Sequence, residues 1–329
     1  SVLHAKVIVN PAAGGYAAHR EWSQISRRLH DIGLSFDYEY TEGNGHAIEL
    51  AQTSAEAGYS HLIAVGGDGT VNEVANGILR STASSKVILG IISAGTACNF
   101  ARSLGIPQDY ASSCSLLTSQ RSFLIDVGLV EYQSRGKSLQ RFFVNQADVG
   151  FGAAVVDARK RLPNRLGKTI NYALYAVGGL HSALNYRNQG VTLCLESKVE
   201  HIRLGTMVVA NGAYFADGMY LAPQARVDDG LLDVVIVGDI DKLELLKIWP
   251  RLYRENLVEH PQIRVEKATS ITIQSPERLL VEADGELLGE CPASFRVVPS
   301  ALTIIKGAGT SQQNNAPPLP TPKPPPSVK

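Results

Sequence analysis

HLIAVGGDGTVNEVANGIL, residues 61–79, decides the reading of this chain. Five strand-forming residues run into GGDGT (66–70), and Val71, Val74, Ala75, Ile78 and Leu79 then recur at helical spacing. Glycines let a backbone turn sharply and present bare N–H groups. A helix N-terminus adds free donors and partial positive charge at the same point. Together they make a phosphate cradle. The Asp68 carboxylate is ill suited to a bare phosphate, and faces either a Mg²⁺ ion or a neighbouring amide. An ordinary glycine turn with an Asp cap could carry the same five letters, but the strand–GGDGT–helix setting favours the phosphate reading.

The pattern continues on both sides. Residues 3–9 and 35–40 read as strands, and 16–32 as a helix with Trp22, Ile25, Leu29 and Ile32 on one face. A second helix covers 46–57, with Ile48, Leu50 and Ala51 as apolar anchors, and VILGII (87–92) is a further buried strand. Strand and helix in alternation predict a mostly parallel sheet covered by helices. Two more loops come directly after strands: NPAAGG (10–15) and SAGTACNF (93–100). Three loops at the ends of neighbouring parallel strands converge on the crevice where open α/β sheets bind ligands. The Walker sequence, the protein-kinase set and a GxGxxG after the first strand are all absent.

After about residue 126 strand-like runs crowd together: FFVNQADV (142–149), VTLCLE, TMVVAN, LLDVVIV, SITIQ, RLLVEA and SFRVVP (294–299). Turn letters such as DDG (228–230) and DG (284–285) separate them, which predicts an antiparallel sandwich. Helical stretches interrupt it at roughly 153–184, broken near Pro163, and at 242–257, with Pro250 inside. From 308 to 329 the apolar periodicity is lost, and PPLPTPKPPP reads as a disordered or polyproline-like tail.

Thirty-one basic residues balance 31 acidic ones among 329, so the basic footprint of a nucleic-acid binder is missing. Cys98, Cys114, Cys194 and Cys291 form no CxxC pair, which points away from a disulfide framework or zinc site and toward a reducing cytoplasm. No apolar run reaches the ~18 residues of a membrane span, so contact with a membrane is expected from its surface. Arg159, Lys160, Arg161, Arg165 and Lys168 read as a solvated helix face, or as an attraction to anionic lipid of roughly 1 kcal/mol per residue. Tyr172, Leu174, Tyr175, Val177, Leu180 and Leu184 come next at near-helical spacing, as core or as a lipid entrance.

Read together, NPAAGG, Thr41, GGDGT with Val71 and Asn72, GTACNFA, LIDVG (124–128), VNQADVGFGA, the segment 209–235 with GMYLAP and ARVDDGLLDV, and EADGE (282–286) resemble the diacylglycerol kinase catalytic-domain family. They stand in family order over about 300 residues. GGDGT alone also occurs in NAD kinases and phosphofructokinases; the later segments point to lipid kinases. The resemblance implies an α/β nucleotide-binding domain over 1–126, a β-sandwich substrate domain over 127–300, and a strand at 301–307 returning to the first. It matches Asn10, Pro11, Ala12, Ala13, Gly14, Thr41, Gly66, Gly67, Asp68, Gly69, Thr70, Val71, Asn72 and Thr96 to ATP-binding elements. Asp229 matches a metal-binding carboxylate, and Arg226 and Leu231 metal-binding carbonyls. Glu286 matches the proton acceptor, with Asp68 as the acid on the nucleotide side and Asp126 and Asp284 as further cleft acids. One departure stands out: the family reads Asn-Asp before Phe100, and this chain has Cys98 and Asn99, without the charge.

The implied activity is Mg²⁺-dependent transfer of the γ-phosphoryl of ATP to a lipid hydroxyl, diacylglycerol or sphingoid-like, at an anionic membrane surface reached from the cytoplasm. A homodimer is compatible with this reading. The alternatives are a soluble NAD or sugar kinase sharing GGDGT, and a nucleotide- or lipid-binding regulator without turnover. Retention of Asp68, Asp229 and Glu286 argues against the last.

Overall fold

The computed structural model describes residues 4–95, 98–119, 121–160, 186–215, 218–248, 251 and 259–307. The first half comprises β1 (His4–Val9), α1 (Ala13–Asp31), β2 (Ser35–Tyr40), α2 (His46–Glu56), β3 (His61–Gly66), α3 (Asp68–Arg80) and β4 (Ile88–Ser93). These strands lie in the order β4-β3-β1-β2, all parallel. Period-two alternation along β3 explains the two covered faces. Leu62 and Ala64 enter one core with Val71, Val74 and Ile78 of α3, while Ile63 and Val65 enter the other with Trp22, Ile25 and Leu29 of α1. Two short helices, α4 (Asn99–Ser103) and α5 (Tyr110–Leu116), are additions to the sequence reading. The Asp109 side chain caps α5 by accepting the Ser112 N–H at 2.8 Å.

The second half is the predicted antiparallel sandwich, and the mixed α/β-plus-sandwich class is therefore correct. It comprises β5 (Ser122–Ser134), β6 (Lys137–Phe143), β7 (Gln146–Gly150), α6 (Phe151–Lys160), β8 (Gln189–Leu195), β9 (Lys198–Leu204) and β10 (Thr206–Ala210). β11 (Leu232–Val237), α7 (Lys242–Ile248), β12 (Ile263–Ala268), β13 (Ser270–Gln274), β14 (Leu280–Ala283) and β15 (Glu286–Ile305) complete it. Val149, Val209 and Val234 from one layer meet Leu193, Ile271 and Phe295 in a single core.

FFVNQADV is not one strand. The N–H groups of Val144 and Asn145 donate to the Asp284 carboxylate rather than to a ladder, at 2.8 and 3.0 Å, which separates β6 from β7. SFRVVP, conversely, does not end where its turn letters suggest. β15 continues through a register shift between Val298 and Leu302, with Ser300 left-handed (φ 49°). Ser300 N–H donates to Asp126 there. β15 thus leaves the sandwich and pairs in parallel with β4, Thr303 opposite Ile88.

The stretch 161–185, with the basic residues Arg161, Arg165 and Lys168 and the apolar group from Tyr172 to Leu184, lies outside the described residues. So do 252–258, the tail from 308, and the side chains of Arg159 and Lys160. Among the described residues no helix is long and apolar enough to cross a membrane.

Asp148 on β7 is 1% exposed. It accepts from Thr206 Oγ1 at 2.9 Å and from the Ala153 N–H at 2.8 Å, in the first turn of α6. Burial pushes its carboxyl up to about 7. The folded chain therefore keeps a proton that the unfolded chain releases near pH 4. Stability from this group falls as pH rises between those values, by at most about 1.4 kcal/mol per pH unit. Asp148→Asn should flatten the dependence of Tm on pH between 5 and 8 and raise Tm at pH 8. Asp284, raised to about 6, will leave some slope below pH 6. Unchanged slopes in variant and wild type would remove Asp148 as their source.

Candidate active site

The three glycine loops touch one another at the C-terminal ends of β1, β3 and β4. In the first loop, Asn10 donates its N–H to Val65 O at 3.0 Å and its side-chain Nδ2 to Thr70 Oγ1 at 3.0 Å. The loop then carries three left-handed residues in a row, Gly14, Gly15 and Tyr16 (φ 61°, 66° and 67°), so the regular helix begins only after them. A Cβ on Gly14 would lie 2.5 Å from Ala94 O of the third loop. A Cβ on Gly95 would lie 2.4 Å from Gly67 Cα. Ala94 N–H donates to Gly66 O at 3.0 Å, and Thr41 N–H to Val9 O at 2.8 Å. Pro11, Ala12 and Ala13 come directly after Asn10, and Gly69 is exposed in the first turn of α3. Thr96 lies outside the described residues. Val71 belongs to the fold rather than to the crevice: its side chain is in the core and its N–H is bonded to Gly67 O.

Asp68 takes the second of its two expected roles. Its carboxylate oxygens accept the N–H groups of Asn99 and Phe100, both at 2.9 Å, and so hold the third loop at the start of α4. Burial pushes this carboxyl up, against the pull of the two amides. The carboxylate expected as the acid on the nucleotide side here positions a loop. Asn99, where the family carries a charge, accepts the Gly218 N–H at 3.3 Å and so ties the same loop to the sandwich half.

The sandwich half contributes the turn between β14 and β15. Asp284 and Gly285 are left-handed (φ 48° and 83°), and Glu282 accepts the Gly285 N–H at 2.9 Å. Asp284 is not an open cleft acid. It is 5% exposed and accepts the N–H groups of Val144, Asn145 and Gln146, together with Asn72 Nδ2 at 2.7 Å. Asp126 is likewise buried, accepting from Gly230 N–H at 2.7 Å and Ser300 N–H at 2.8 Å. Both carboxylates are buried and accept donors distant in sequence. Glu286 differs: its side chain is 37% exposed. Its Oε2 accepts from Arg141 Nη2 at 3.0 Å, and Arg141 Nε donates to Asn72 Oδ1 at 2.9 Å. Asn72 lies four residues beyond Asp68, about one turn along α3. The DGE turn and the GGDGT loop therefore stand on one continuous wall. Arg141 was missed from the sequence, where KSLQRFF marks it only as one polar residue in a strand.

The turn at 226–231 was expected to hold a metal. Asp229 Oδ1 accepts the Leu231 N–H at 3.2 Å, and its Oδ2 is paired with Lys267 Nζ at 3.0 Å. The same ammonium reaches Asp233 Oδ2 at 3.2 Å. The Arg226 side chain pairs with Asp228. Among the described residues no group of three or more His, Cys, Asp or Glu side chains is placed to hold a metal. Lys267 thus supplies a cation to both Asp229 and Asp233 in this turn.

Glycine loops at parallel strand ends are thus joined to an antiparallel sandwich that carries a partly exposed carboxylate. The family model described as Diacylglycerol kinase catalytic domain matches residues 4–130, and that described as YegS C-terminal NAD kinase beta sandwich-like domain matches 147–306. The chain thus resembles a diacylglycerol kinase catalytic domain over its first part and a YegS-type sandwich domain over its second. It is 27% identical over 291 residues to a diacylglycerol kinase of Staphylococcus carnosus (strain TM300), covering 88% of this chain and 91% of that one. Against a protein of Chromohalobacter salexigens named "Probable lipid kinase YegS-like" it is 28% identical over 286 residues, covering 86% and 88%. The crystal structure of a diacylglycerol kinase from Bacillus anthracis str. Sterne superposes with TM-score 0.69 at 22% identity, covering 93% of this chain and 97% of that one. That likeness is one of fold.

Proposed function

We propose that the chain transfers the γ-phosphoryl group of Mg²⁺-bound ATP to the hydroxyl of a lipid alcohol, diacylglycerol or a sphingoid-like base. The observation that carries this reading is the mutual contact of the three glycine loops, with Glu286 linked to their wall through Arg141 and Asn72. ATP enters here as the substrate complex, its phosphates in the loops at Asn10–Gly14, Gly66–Thr70 and Thr96, with Thr41 beside them. In this division of labour the nucleotide part is 1–126 with the strand at 301–307, and the acceptor part is 127–300. A lipid acceptor places the work at a membrane surface, reached from the cytoplasm.

In the transfer, a lone pair of the lipid oxygen forms the new bond to the γ-phosphorus. The bond from that phosphorus to the β–γ bridging oxygen breaks, and its electrons stay on ADP. The acceptor's proton goes to the Glu286 carboxylate and from there to solvent. The loop amides stabilise the charge spread over the transferring oxygens. Asp68 contributes by holding the third loop in place.

The test is γ-labelled ATP incubated with mixed micelles of a lipid panel, then organic extraction. Label in the organic phase supports the reading. Label confined to a water-soluble product of an NAD or sugar panel would favour a soluble acceptor, and no label at all would favour a regulator without turnover. Excess chelator should bring transfer to background, because the substrate loses the cation that offsets its phosphates. The melting temperature should stay unchanged under the same treatment, because Lys267 already neutralises Asp229. Full transfer in chelator would contradict the assignment, and a large fall in Tm would show a resident ion.

A further inference from the structure

We propose that Arg141 is a positioning residue for phosphoryl transfer, holding the Glu286 carboxylate toward the acceptor and coupling it to the nucleotide loops through Asn72. The inference rests on the lipid-kinase reading above. A glutamate side chain has three rotatable bonds, and one that is 37% exposed samples many orientations unless something fixes it. Its backbone is already fixed. The left-handed Asp284–Gly285 turn before it is held by the four donors on Asp284 and by the bond from Gly285 N–H to Glu282. Arg141 supplies the remaining constraint. Its side chain is 11% exposed, so the steering group is the better anchored member of the pair.

The guanidinium is a rigid fork, and here two of its donors go to two different partners. Nε donates to Asn72 Oδ1 and Nη2 to Glu286 Oε2, which leaves Oε1 of Glu286 to take the acceptor's proton. Asn72 is itself immobilised. Its Nδ2 donates to Asp284 Oδ2 and to Phe142 O, and Asn76 Nδ2 donates to its Oδ1. The Glu286 carboxylate therefore hangs from a buried network anchored in α3, the helix whose first residues form the phosphate loop. A shift of that helix is passed to Glu286 through two hydrogen bonds.

The experiment is a double-mutant cycle on the full chain with labelled ATP and the best lipid acceptor. Arg141→Ala should lower kcat about ten- to a hundredfold, the cost of a misplaced group, and leave KM for ATP within about twofold. Arg141→Lys should recover part of the loss, as should millimolar guanidinium added to Arg141→Ala. In a Glu286→Gln background the Arg141→Ala change should cost almost nothing more, because Arg141 acts through that carboxylate. Undiminished kcat in Arg141→Ala, an effect on KM alone, or the same loss in both backgrounds would overturn the proposal. Should Arg141→Ala fail to fold, Arg141→Gln carries the same cycle with amide donors retained. A wild type without transfer to any lipid sinks the activity reading and this inference together. An active wild type with an indifferent Arg141 sinks the inference alone.

Discussion

Glu286→Gln should cut kcat for lipid phosphorylation by about 10²–10⁴, the usual worth of a positioned base, and leave KM for ATP nearly unchanged. Glutamine keeps the size of the side chain and can still accept the Arg141 hydrogen bond, so the change removes basicity and little else. The lower end of the range applies if proton removal lags behind phosphoryl transfer in a loose transition state. Asp284→Asn is an informative neighbour, because Asp284 is buried among four N–H donors. An amide there puts an N–H against backbone donors, so that variant should lose thermal stability first, and turnover only as far as the turn that carries Glu286 shifts. The opposite pair of results, a normal Glu286→Gln and a dead but fully stable Asp284→Asn, would move the base to Asp284.

Gly95→Ala should lower kcat/KM for ATP by about a hundredfold without unfolding the chain. The added Cβ would sit 2.4 Å from Gly67 Cα and 2.9 Å from Gly67 N. Both are backbone atoms with no rotamer to escape into, so the second and third loops must move apart. A displacement of about 1 Å at a phosphate-positioning loop costs on that order. The sheet beneath keeps its pairing, Gly66 with Ser93, and the cores on either face are untouched. Wild-type kcat/KM would show that the two loops do not need this approach, and would weaken the convergent-loop account. A calorimetric titration with ADP separates lost binding from lost chemistry.

The parallel half was legible because its signals are local: period-two strands, period-3.6 helices, and glycines where loops must approach one another. The sandwich was legible as a class for the same reason. The features that the sequence reading lost depend on partners far along the chain. β6 and β7 part where Asp284, some 140 residues away, takes their N–H groups. β15 runs on through Ser300 because Asp126 receives its amide. α4 is too short to show a periodicity, and its first amides are held by Asp68. The acids themselves stood out by letter, but a letter does not say whether a carboxylate faces solvent or is filled by amides. Asp68, Asp126 and Asp284 accept amides from distant segments, and Glu286 is partly exposed and paired. Lys267 and Arg141 carried no signal, because a single basic residue in an alternating strand looks like any solvated position.

The central claim is that phosphoryl transfer takes place between the three loops and the DGE turn. A crystal structure with a non-hydrolysable ATP analogue, Mg²⁺ and a short-chain diacylglycerol tests it most directly. The account predicts phosphates against the backbone of residues 10–14 and 66–70, with the acceptor hydroxyl within about 3 Å of a Glu286 oxygen. Phosphates bound elsewhere, or an acceptor hydroxyl beyond hydrogen-bond and single-water reach of Glu286, would contradict it.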